Sequence, residues 1–183
     1  VRRNPLASEP QAALMLNGED LETLSVLLDG RILSADHYLL GDSLLTIYDV
    51  PDAFILQTVI RIRPDANNKL SGLYRSANGY FTQCEAQGFR RITWFLDRPD
   101  VMSRYTVTIH AEKNRLPLLF SNGNPVGGGD ELGAADANWH WARWEDPFPK
   151  PCYLFALVAA HLEELRGTYH TGSGRRVDLA IYV

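Results

Sequence analysis

What this chain of 183 residues lacks narrows its chemistry first. It holds two cysteines, Cys84 and Cys152, and no CxxC pair, which excludes a disulfide framework and a thiolate metal knuckle. They read as small buried free thiols suited to a reducing, cytoplasmic compartment. No run of like charges occurs. Lys and Arg number 18 against 22 Asp and Glu, a net charge of −4, which argues against a nucleic-acid surface. The longest apolar stretch, Tyr153 to Ala160, has eight residues, far from the roughly 20 that span a bilayer, so no membrane segment is expected. The opening Val1-Arg2-Arg3-Asn4-Pro5 has no apolar segment after it and is not a secretory signal. Val1 is not an initiator methionine, so the chain reads as an excised piece, from which any targeting segment would have been cut away.

Catalytic signatures are missing too. A zinc peptidase of the H-E-x-x-H kind needs two histidines one helical turn apart, with a Glu between them as base. None of His37, His110, His140, His161 and His170 has that spacing, and His161-Leu162-Glu163-Glu164-Leu165 has the acids without the second histidine. No G-x-S-x-G elbow occurs, and Gly127-Gly128-Gly129 lacks the Lys-Ser/Thr of a phosphate loop. The chain alone is expected to bind no metal and to be inert.

What is present is a succession of short strands with turn signals between them, the pattern of an all-β sandwich. Leu21 to Leu28 runs into Asp29-Gly30, and His37 to Leu40 is separated from Leu44 to Tyr48 by Gly41-Asp42, so both predict hairpins. Phe54 to Arg63 and Tyr105 to Glu112 alternate cleanly, and Leu118 to Ser121 ends at Asn122-Gly123. Gly127 to Asn138 is expected to be a flexible loop, and Cys152 to Ala159 a buried strand. His161 to Arg166 reads as a helical turn or more strand, and Arg175 to Val183 as strand. Asp97 or Pro99 is expected to start one short helix near 98–104.

One stretch carries unusual polarity: Thr82-Gln83-Cys84-Glu85-Ala86-Gln87-Gly88-Phe89-Arg90. As an extended strand it places Gln83, Glu85 and Gln87 on one face and Thr82, Cys84 and Ala86 on the other. The polar face is either simply solvated or a group of acceptors suited to a small cation such as an ammonium. Asp97, Arg98 and Asp100 read as caps or ion pairs that position this strand, and Arg90 and Arg91 as surface or interdomain charges. The aromatic group Trp139, Trp141, Trp144, Phe148 and Tyr153 reads as packing, with a sugar-stacking platform as the sharper alternative.

The run Gln83-Cys84-Glu85-Ala86-Gln87-Gly88-Phe89-Arg90, followed by Leu96-Asp97-Arg98-Pro99-Asp100-Val101, resembles the N-terminal domain of the bacterial aminopeptidase N family, zinc-dependent gluzincin aminopeptidases. Leu16-Asn17-Gly18-Glu19-Asp20-Leu21, Ser121-Asn122-Gly123-Asn124 and the run from Asp146-Pro147-Phe148-Pro149 to Ala159 fit the same family in the same order, covering about Leu14 to Val183. The resemblance implies a saddle-shaped single β domain over 1–183, lacking its first strand or strands and a downstream catalytic domain. It also implies a parent enzyme that releases N-terminal amino acids from peptides, using a zinc ion held elsewhere. Glu85 would be one of the carboxylates that hold the substrate ammonium, with Gln83 adding its amide oxygen. The implied partners are peptide substrates and, within one polypeptide, the catalytic domain; exposed sheet edges in the isolated piece invite self-association. A non-catalytic β scaffold and a carbohydrate-binding module are the competing readings.

Overall fold

In a computed structural model, the residues described are 1–2, 12–131 and 138–183. Most of the expected lead-in (Val1 to Pro10) and the later part of the expected glycine loop lie outside them.

Fifteen strands form among these residues: β1 (Leu14–Asn17), β2 (Glu22–Leu28), β3 (Arg31–Ile32), β4 (Tyr38–Leu40) and β5 (Leu44–Ile47) come first. They are followed by β6 (Leu56–Arg61), β7 (Gly72–Ser76), β8 (Gly79–Gln83), β9 (Ser103–Glu112) and β10 (Leu118–Ser121). The last are β11 (Asn124–Asp130), β12 (Trp139–Lys150), β13 (Leu157–Ala160), β14 (Glu164–His170) and β15 (Arg176–Tyr182). They pair antiparallel into five sheets, ordered β1-β5-β4, β3-β2-β6, β10-β13-β8-β7, β11-β12-β9 and β14-β15. The fold is therefore all-β.

Two of these sheets close over one core. Leu14 lies opposite Ile47 and Leu16 opposite Leu45, so period-two alternation turns all four inward, while Met15 faces out. Val26 of β2 and Phe54 reach the same cluster from the β3-β2-β6 side. Leu45 and Ile47 are fully buried, and each such side chain contributes about 1.5–3 kcal/mol relative to exposure. Trp94 seals one end: its indole N–H donates to Thr23 Oγ1 at 2.8 Å. Gly18 is required beneath it, because a Cβ there would lie 2.3 Å from the ring. A second cluster joins Ile109 and Ala111 of β9 to Leu119 of β10 and Ala159 of β13, packing the β11-β12-β9 sheet on the β10-β13-β8-β7 sheet.

The expected hairpins form where turn chemistry specified them. Asp29 and Gly30 both take positive φ (48° and 78°), the two-residue turn that matches the twist of β2 and β3. Three expectations need correction. No helix forms near 98–104: residues 99–100 turn and β9 starts at Ser103, where Tyr105 and Val107 gain more by packing inward than a short isolated helix would supply. The glycine run 127–129 lies in strand β11, because β12 supplies a complete ladder partner and the Trp141 indole fills the space above Gly127, 3.1 Å from where a Cβ would sit. Cys152–Leu154 is a 3-10 turn, and the strand begins only at Leu157. Of the two readings of 161–166, strand is the one that forms, with residues 164–166 in β14.

Candidate functional site

β8 delivers Gln83 to the surface and then stops. The chain turns through Glu85, Ala86, Gln87 and Gly88, closed by the Gly88 amide donating to the Cys84 carbonyl at 2.8 Å. A 3-10 turn at Phe89–Arg91 follows. The single-strand reading of 82–88 is thus corrected: Gln83 ends a strand and Glu85 sits on a turn. The cause is steric. The backbone folds so tightly here that a Cβ on Gly88 would lie 2.2 Å from the Gln83 carbonyl oxygen and 3.0 Å from the Gly72 nitrogen. Gly72, at φ 76°, is equally confined, since its Cβ would meet the Arg91 Cβ at 2.6 Å.

The turn nevertheless brings the two singled-out residues together. Gln83 Nε2 donates to the Glu85 carbonyl at 3.2 Å, and both side chains are exposed. The Glu85–Ala86 peptide is cis. Among the described residues the Glu85 carboxylate has no hydrogen-bond or ion-pair partner, so both its oxygens remain available to a donor from outside.

Beneath the turn the chemistry inverts. Cys84, Phe89, Cys152 and Phe155 form a buried cluster, with Phe89 edge-on to Phe95 at 4.9 Å and to Phe155 at 5.1 Å. Both thiols are free. Burial, reinforced by the neighbouring Asp97 carboxylate, pushes the Cys84 thiol up to about 12. Burial, and then the hydrogen bond to Asp97, pushes Cys152 up to about 12 as well. Tyr105 is raised by burial and then by its acidic neighbours. Its hydroxyl finds no hydrogen-bond partner among the described residues.

Asp97, only 4 % exposed, gathers this floor. One carboxylate oxygen accepts from Arg90 Nε at 2.8 Å and from the Arg90 amide at 3.2 Å, and the other accepts from the Cys152 thiol at 3.0 Å. The Asp97 carbonyl also accepts from Arg90 Nη2 at 3.3 Å. Arg91 pairs with Glu19 and Asp20, and Lys69 Nζ reaches Asp20 at 2.9 Å. The hydrogen bond from Lys69 is the main reason the Asp20 carboxyl lies below its ordinary range. The surface reading of Arg90 and Arg91 is corrected by these contacts. Arg98 and Asp100 do pair with each other, but exposed and away from the floor. Sequence reasoning missed the Asp97–Arg90–Cys152 group, because nothing in the residue pattern signals a contact closed across irregular turns.

The remaining candidates separate. Trp139 and Trp141 lie on one face of β12, and alternation places Trp144 on the other, where its indole N–H donates to the Leu119 carbonyl at 3.0 Å. The aromatic group therefore forms no single platform. His140 Nε2 meets the Leu116 carbonyl at 2.8 Å, and His110 pairs with Glu131 and stacks on Trp141 at 6.5 Å. Among the described residues no group of three or more His, Cys, Asp or Glu side chains is placed to hold a metal ion. A zinc ion therefore does not fit the residues present here.

The all-β fold agrees with what known sequences say. The profile described as Peptidase M1 N-terminal domain matches residues 49–154, more than half of the chain, and the protein belongs to that family. Among individual relatives, the chain is 50 % identical over its whole length to aminopeptidase N of Caulobacter vibrioides, and it spans 20 % of that protein. The aminopeptidase A of Legionella pneumophila, solved in complex with aspartic acid, superposes at TM-score 0.91 with 31 % identity, over 99 % of this chain and 21 % of that one. An M1 zinc metallopeptidase from Deinococcus radiodurans shares the fold at TM-score 0.72 and 14 % identity, over 95 % of this chain and 40 % of its own. The chain thus spans about a fifth of the length of the curated relative it matches.

Proposed function

We propose that this chain is the N-terminal domain of a zinc metallo-aminopeptidase that releases N-terminal amino acids from peptides, and that Glu85, assisted by Gln83, holds the substrate α-ammonium. The observation that carries the reading is the exposed Glu85 carboxylate, without a partner among the described residues, on a turn braced by the Arg90–Asp97 pair. An exopeptidase must tell a free ammonium from an internal amide. A carboxylate does so because a charge-assisted hydrogen bond contributes about 1.5–3 kcal/mol, and an amide nitrogen offers no charge to match it. Zinc in such an enzyme comes from the part of the polypeptide outside this chain, so the domain alone is inactive. The solved relative with bound aspartic acid supports a family site for free amino acids.

The domain's partner within the enzyme is the zinc-bearing catalytic domain. The β14–β15 hairpin favours such a contact: Leu165 opposes Ile181 and Tyr169 opposes Val177, giving one apolar face, with Leu165 66 % and Ile181 59 % exposed. Free, buried thiols favour a cytoplasmic location. A pure scaffold has no use for an unpaired carboxylate, which sets that alternative behind the enzyme. In the full-length enzyme Glu85→Gln should lower kcat/KM on aminoacyl substrates by about tenfold or more, a loss of roughly 1.4 kcal/mol, with zinc content unchanged. Undiminished turnover would remove the anchoring role.

A further inference from the structure

We infer that Asp97 is a positioning residue for the ammonium site: its carboxylate, shared between Arg90 and Cys152, fixes the turn that presents Glu85. The inference rests on the reading of Glu85 given above and extends it to a residue that touches no substrate.

The geometry carries it. The turn bearing Glu85 is held on its N-terminal side by β8, laddered to β7 and β13. On its C-terminal side no ladder exists, because Phe89–Arg91 is a single 3-10 turn. Besides the buried Phe89 ring and the ion pairs of Arg91 with Glu19 and Asp20, that side is held by Arg90, whose amide and Nε both donate to one Asp97 oxygen at 3.2 and 2.8 Å. The other oxygen ties in Cys152 Sγ at 3.0 Å. Cys152 begins the 3-10 turn that leads into Phe155, one wall of the floor under Glu85. The Arg90 carbonyl in turn accepts from the Glu19 amide at 2.9 Å, linking the clamp to the segment between β1 and β2. One buried carboxylate therefore ties its own segment to the Arg90 turn and to Cys152, and through the Arg90 carbonyl to Glu19. Charge-assisted hydrogen bonds of this kind are short and directional, and so suited to fixing a turn that backbone pairing does not. Misplacement of a binding group by a fraction of an ångström weakens recognition without abolishing the fold.

The test compares, in the full-length enzyme, the affinity for free L-arginine with that for its desamino analogue, measured by calorimetry. The ratio of the two isolates ammonium recognition. Asp97→Asn, nearly identical in shape, should cut the preference for the amino acid by about fivefold or more, part of one charge-assisted contact, while the affinity for the desamino analogue stays unchanged. Arg90→Lys, which keeps the charge and loses the Nε contact, should move the ratio the same way and carries the test if Asp97→Asn does not fold. An unchanged ratio, or equal weakening of both ligands, would overturn the positioning role. Glu85→Gln run alongside separates the two ideas. A ratio lost in Glu85→Gln but kept in Asp97→Asn removes only the role of Asp97, whereas a ratio kept in Glu85→Gln removes the ammonium reading and this inference with it.

Discussion

The turn at 84–91 and the β14–β15 hairpin are opposite answers to the problem of an exposed surface. At the turn a polar side chain faces outward over a backbone fixed on all sides, by Gly72, by the Asp97 clamp and by an aromatic floor. In the hairpin the exposed face is apolar, and its two strands pair with no other sheet. The first arrangement suits a small charged ligand, whose recognition needs a carboxylate held still. The second suits a broad surface, since apolar area gains by being covered and tolerates adjustment. Placement and coverage are separate tasks, and the two regions divide them.

That contrast can be broken most severely with paired glycine substitutions. Gly88→Ala forces a Cβ against the Gln83 carbonyl, so it should lower stability by about 1–3 kcal/mol or more and depress the thermal midpoint. In the hairpin, nothing lies within 4 Å of a Cβ at Gly167, so Gly167→Ala should shift stability by no more than about 0.5 kcal/mol. Equal losses at both positions would show that the turn is no more confined than the hairpin. An effect of comparable size or larger comes from alkali. The folded thiols of Cys84 and Cys152 titrate at about 12, above the value near 8.5 of an unfolded thiol. Folding therefore retains protons that the unfolded chain releases, so this contribution is fully present below about pH 8.5 and is lost as pH rises toward 12. Chemical denaturation between neutral pH and pH 10.5, about two units above an unfolded thiol, should report falling stability. A thiol reagent near neutral pH should label neither cysteine until the protein unfolds. The smallest stability effect is expected in the hairpin: Leu165→Glu with Ile181→Glu should leave the folding of the isolated domain within about 0.5 kcal/mol and shift its sedimentation toward the monomer. Unaltered association would mean that other surfaces, the open sheet edges first, drive self-contact.

The hairpin between β2 and β3 was legible in the sequence because Asp29-Gly30 states its own turn. Strands β6 and β9 were legible from alternation. The turn at Glu85 was not, because its alternating residues suit a strand equally well. What decides between them is the approach of Gly88 to Gln83 and Gly72, a contact no local pattern encodes. The glycine strand β11 failed for a related reason: its order comes from the ladder to β12 and from Trp141, both distant in sequence. Glu85 and Gln83 emerged as candidates through family resemblance and Asp97 as an ion-pairing residue near them, whereas its partners Arg90 and Cys152 required the folded chain.

The contact between Gly72 and Gly88 has a practical corollary. Main-chain atoms set how closely this loop approaches the sheet under it, while the Asp97 clamp holds its far side. Residues 85 to 87 therefore sit on a mount of fixed height, and their side chains can be exchanged for others of different length or sign with little movement of the mount. A protein engineer wishing to retune which chemical end-group is grasped has, at these outward-facing positions, a cassette independent of the frame that carries it.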